Sequence, residues 1–81
     1  MYLHIGKDFV INNNSIIGIF NLNYIRNTRE FKNLYDNIEK EGNIRKISEE
    51  DNKSFILTEE NKIIKGYVTN IGTNTIGKRK M

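Results

Sequence analysis

Residues Asn27 to Gly42 read NTREFKNLYDNIEKEG. This is the one segment of the chain with a helical start, a helical stop and an unbroken apolar period between them. Asn27 is of a residue type that caps helices, and Glu30 stands three positions on, where a capping-box carboxylate reaches back. Gly42 suits the left-handed residue that closes a helix. Phe31, Leu34, Tyr35 and Ile38 fall at i, i+3, i+4 and i+7, one apolar stripe on a 3.6-residue repeat. Arg29, Lys32, Asn33, Asp36, Asn37, Glu39 and Lys40 make the opposite, polar face. The reading is a helix over about residues 28–41 that needs a sheet to pack against.

Working outward, the flanks supply that sheet. Tyr2 to Ile5 reads as a strand ended by Gly6, and Asp8 to Ile11 as a second strand stopped by Asn12-Asn13-Asn14. Ser15 to Phe20 (SIIGIF) reads as a third, so residues 8–20 are expected to form a hairpin. Ile16, Ile17, Ile19 and Phe20 do not alternate with polar residues, which predicts cover on both faces. The helix takes one face, and a second subunit is the expected cover of the other. Gly18 in mid-strand points to a bulge or a close backbone approach. Leu22 and Ile25 anchor the lead into the helix. Beyond Gly42, Ile44 to Ile47 is a fourth strand and residues 48–52 an acidic loop. Ser54 to Thr58 and Lys62 to Val68 form a hairpin turned at residues 59–61.

The order β-β-β-α-β-β-β gives the fold class: α+β, a small, mainly antiparallel sheet with one helix packed on it. Residues 1–68 are the single domain. Residues 69–81, aperiodic and ending Lys78-Arg79-Lys80, read as a flexible basic C-terminal tail.

The chain of 81 residues has room for one modest core, a size at which association with further copies adds burial. It has no cysteine, which removes disulfides and thiolate metal sites and suits a reducing compartment. Apolar runs are too short to span a bilayer, and MYLHIGKDF lacks the apolar core of a signal peptide. A cytoplasmic location is therefore expected, with no membrane contact. The formal charge of +3 is unevenly spread: +1 over residues 1–27, −2 over 28–52 and +4 over 53–81. The basic excess lies in the last third, where it can approach phosphates.

Catalytic patterns are missing. His4 is the one histidine, set in an apolar stretch without a recognisable partner, and reads as structural or partly exposed. Glu49, Glu50 and Asp51 are adjacent in a loop, whereas catalytic pairs and calcium loops need facing or spaced carboxylates. Gly72 to Lys78 has GxxxxGK spacing, but Arg79 replaces the hydroxyl residue, so the match is accidental. No enzyme, cofactor, metal or small-molecule substrate is indicated. The basic residues that could meet DNA are Arg45, Lys46, Lys53 and the Lys78-Arg79-Lys80 run, with Lys62 and Lys65 further candidates. Tyr67 or Phe55 is available for stacking. Strand alternation puts Arg45 and Lys53 on a solvent face. Taken singly, each is ordinary surface charge.

Several segments together carry a resemblance: MYLHIGKDFVI, SIIGIF, the helix ending EKEGN, IRKIS, and KSFILT followed by a turn and another strand. In this order they resemble the RemA/RemB family of bacterial extracellular matrix regulatory proteins, closest to the RemB branch, over about residues 1–68. The resemblance implies a fold related to LytTR-type DNA-binding domains and subunits assembled into rings. For the RemA branch it implies DNA binding in the control of biofilm-matrix genes. The chain departs from that branch at two places. Ser15 stands where the DNA-binding branch has an arginine in the first hairpin, and Glu50, Asp51 and Asn52 replace its arginine cluster, leaving Lys53 basic. Carboxylates repel phosphate, so no functional arginine carries over there.

Two functions follow as expectations. One is an oligomeric, ring-forming, DNA-binding transcriptional regulator using Arg45, Lys46, Lys53, Lys78, Arg79 and Lys80. The alternative is an oligomeric protein-interaction module of the same fold that has lost DNA binding, with its acidic loop as the attraction for a partner.

Overall fold

A computed structural model describes residues 1–80; the side chain of Lys80 and all of Met81 lie outside the described part. The elements in order are β1 (Tyr2–Gly6), β2 (Phe9–Asn12), a 3-10 turn (Asn13–Ser15), β3 (Ile16–Asn21), α1 (Leu22–Ile25), α2 (Arg29–Lys40), β4 (Ile44–Lys46), β5 (Ser54–Glu60), β6 (Ile63–Thr69) and α3 (Thr73–Lys80). The fold is α+β, as the pattern of the sequence predicts.

The helix of the central segment ends as expected and starts one residue late. Thr28, not Asn27, is the N-cap: its Oγ1 accepts from the Phe31 N–H at 3.2 Å. That makes Phe31 the third helical residue and leaves Glu30 one position short of a capping box. At the other end Asn43 N–H donates to Ile38 C=O and Gly42 N–H to Glu39 C=O, with Gly42 at φ +75°. This is a Schellman closure, and the left-handed φ is why glycine stands there. The apolar stripe packs against the sheet: the Phe31 ring meets Phe55 edge-on at 5.1 Å, and Tyr35 lies 6.2 Å from the same ring.

The sheet has four strands in the order β3-β5-β6-β4, with β4 parallel to β6 and the other pairs antiparallel. The expected hairpin of residues 8–20 does not form. β2 instead pairs with β1 as a separate two-stranded ribbon, and β3 pairs with β5. The 3-10 turn, capped by Asn12 and held by a 2.7 Å bond from Ser15 Oγ to Asn12 C=O, redirects the chain between them. β5 also runs on through Glu60, and the turn to β6 falls at Asn61-Lys62, both at positive φ. Two successive positive-φ residues twist a hairpin in the sense its strands require.

Two apolar clusters lie on opposite faces of the sheet. Leu22, Ile38, Phe55 and Val68 form the core under α1 and α2. Leu3, Ile5, Ile11, Ile47, Ile56 and Ile76 form the other, under the β1–β2 ribbon and α3. Strand alternation explains the division, since neighbouring Phe55 and Ile56 point to opposite faces. The second face of β3 is thus covered within the chain: Ile16 and Ile19 pack under the ribbon. Ile17 is the exception. It is the extra residue of a bulge opposite β5, before Gly18, and stands 54 % exposed.

The C-terminal segment departs most from expectation. Thr69 belongs to β6 and is fully buried, and residues 73–80 form a helix whose Ile76 is fully buried. Isoleucine is spaced here too sparsely for a period, so one residue fastens the helix. The GxxxxGK spacing therefore lies largely on a helix, which leaves no loop to cradle a phosphate.

Candidate nucleic-acid interface

The structure sorts the six predicted basic residues onto three surfaces. Lys46 and Lys53 lie together on the rim of a groove between α1, α2 and the 49–53 loop, a space of about 780 Å³. Arg45, one residue from Lys46 on β4, points to the opposite face and lies over the Phe9 ring at 4.7 Å. Lys78 and Arg79 are on α3, beside the ribbon, where Arg79 Nη1 donates to His4 C=O at 3.1 Å. Lys80 ends the same helix.

The groove is held by main-chain bonds at its base. Lys53 N–H donates to Thr69 C=O and Lys53 C=O accepts from Leu22 N–H, both at 2.9 Å, so the root of this lysine is fixed between β6 and α1. Asn21 caps α1 by accepting from Asn23 N–H at 2.9 Å. The same groove contains Arg26, which sequence reasoning missed. Its Nη2 donates to Asn52 C=O at 3.0 Å, tying the end of α1 to the acidic loop. No linear pattern joins positions 26, 46 and 53, since each belongs to a different element.

The groove is not purely basic. Glu49 and Asp51 line it too, with Asp51 in a left-handed conformation at φ 56°. Tyr35 forms part of the wall; burial pushes its phenol above the ordinary value of 10.0, while the nearby Lys46 charge acts in the opposite sense. Of the two rings proposed for stacking, Phe55 is fully buried, and Tyr67, the register partner of Arg45, is half-buried. Only Tyr67 can meet a ligand. His4 is exposed, with Nε2 bonded to the carbonyl oxygen of Lys7, a local structural role. Among the described residues, no group of three or more His, Cys, Asp or Glu is placed to hold a metal, and no helix is long and apolar enough to cross a membrane.

The model of the RemA-like family, extracellular matrix regulatory protein A-like, matches residues 2–79. The chain belongs to this family. The match runs past Val68 to Arg79, so the RemA-like pattern takes in nearly all of α3. It is a family of extracellular matrix regulatory proteins. No individually curated protein matches the chain.

Proposed function

We propose that this chain is an oligomeric DNA-binding regulator of transcription, acting in the cytoplasm on extracellular-matrix genes and standing nearest the RemB branch. The observation that carries the reading is the convergence of Arg26, Lys46 and Lys53 on one groove rim, with the Lys53 backbone pinned on both sides. Cations on fixed roots meet phosphates without first being ordered. Arg45 and the α3 residues Lys78, Arg79 and Lys80 add to the positive field from other surfaces. Glu49 and Asp51 oppose it, so contacts per chain are weak, and several copies in a ring would multiply them through effective concentration. The free edge of β3 supports association, since Ile17, Phe20 and Tyr24 are exposed along it and its end.

A second reading has its own support. Ser15 and the acidic loop stand where the DNA-binding branch carries arginines, and Glu50 is exposed there. On that reading the loop attracts a protein with a basic surface, and DNA binding has been lost.

Titration of the full chain against a long AT-rich duplex at several salt concentrations decides between them. DNA binding predicts an affinity that falls steeply with salt, drops roughly tenfold in Lys53→Glu and rises a few-fold in Asp51→Asn. Asparagine keeps the left-handed preference of position 51 while removing its charge. No binding at low salt by folded protein would sink this reading in favour of the interaction module. Truncation at Val68 is unsuitable, because it removes buried Ile76 along with the cations.

A further inference from the structure

On the other face of the sheet lies a cleft of about 310 Å³ lined by Phe9, Gly42, Asn43, Arg45, Lys65 and Tyr67. Three features set it apart. First, it has two aromatic walls, Phe9 and Tyr67, with ring centroids 6.2 Å apart and planes at 58°. Second, its cations stand beside the rings. The Arg45 guanidinium lies over Phe9 at 4.7 Å, Arg45 is the direct register partner of Tyr67, and Lys65 is two residues from Tyr67 on the same face of β6. Third, none of its lining residues is acidic. By contrast, Glu49 and Asp51 line the groove, and Glu60, Glu30 and Glu41 line the clefts beside Val10, Phe20 and Lys62.

We infer that this cleft binds a nucleotide, stacking its base on the Phe9–Arg45–Tyr67 surface and taking its phosphate on Arg45 and Lys65. Flat π-systems stack on aromatic rings and on arginine planes with little regard to sequence. A guanidinium already stacked on Phe9 keeps its N–H edge for a phosphate oxygen. Glu60, whose charge acts on the Tyr67 phenol, lines the neighbouring cleft beside Val10 and not this one. The volume is at the lower end for small-ligand pockets, enough for one base and its phosphate. This site is on the opposite face from the groove proposed for duplex DNA.

The test is an amide-resolved NMR titration of the full-length, 15N-labelled protein with adenosine monophosphate, ribose 5-phosphate and a strand of ten deoxythymidines. The expected result is saturable movement of the Asn43, Arg45, Lys65 and Tyr67 amides with the nucleotide, and none in the same range with ribose 5-phosphate. Arg45→Ala, an exposed position, should weaken binding roughly tenfold with the remaining spectrum in place. Tighter binding of the strand assigns the site to single-stranded nucleic acid, and tighter binding of the monophosphate assigns it to a free nucleotide. No saturable movement of these amides with either, or equal movement with ribose 5-phosphate, would overturn the inference. Duplex binding moves the amides around Arg26 and Lys53 instead, so the two readings fail separately.

Discussion

The Thr69 hydroxyl donates to Ile5 C=O at 2.7 Å, in full burial, and so fastens the ribbon to the sheet across 64 residues of sequence. The same oxygen accepts from Ile71 N–H at 3.3 Å, setting the chain's direction toward α3. One side chain thus joins the first strand, the last strand and the segment that leads into the final helix.

Replacing Thr69 by valine keeps the shape and removes the hydroxyl. A buried carbonyl then loses its donor, which costs about 1–3 kcal/mol. Urea unfolding should show a lower midpoint with an unchanged slope. A midpoint equal to the parent's would mean that Ile5 C=O finds another donor.

Among the described side chains of α3, Ile76 is the one that is fully buried. Ile76→Ala should destabilise the protein by about 2–5 kcal/mol, as large-to-small changes in cores do. Lys78→Ala should stay within about 0.5 kcal/mol, because that side chain is exposed. If Ile76→Ala were equally silent, α3 would not be part of the cooperative fold.

The cap assignment is tested by two neighbours. Thr28→Ala removes the acceptor of Phe31 N–H and should cost about 1 kcal/mol, whereas exposed Asn27→Ala should be nearly neutral. The reverse order of costs would restore Asn27 as the cap.

Burial raises the phenol pKa values of Tyr35 and Tyr67 above 10.0; for Tyr67 the Glu60 charge adds to this and Arg45 opposes it. Both rings are half-buried, so solvent limits the effect. The folded state therefore holds these protons more tightly than the unfolded chain does. Nothing is lost below about pH 10, and stability falls as pH rises above it. Denaturation midpoints measured from pH 8 to 11 should decline only at the alkaline end, and less steeply in Tyr67→Phe. A decline of the same steepness in that variant would remove Tyr67 as a cause.

The sequence by itself determined what is local. The stripe Phe31, Leu34, Tyr35, Ile38 and the stop at Gly42 fix α2, because period and backbone freedom are properties of neighbouring residues. The same holds for the strand positions and the bulge before Gly18. Pairing was decided only by the tertiary structure. Three asparagines at 12–14 signal a turn, but a turn does not say whether the next strand returns to its neighbour or crosses to another sheet. β2 and β3 part company there because Ile11 and Ile16 enter the same core from different layers. The helical state of residues 73–80 is also tertiary in origin, since without periodicity its helix rests on the burial of Ile76 between the ribbon and β3. For the same reason the basic residues could be named in advance but not grouped. Arg45 and Lys46 are adjacent in sequence and lie on opposite faces of one strand, while Arg26, Lys46 and Lys53 meet only because three elements converge.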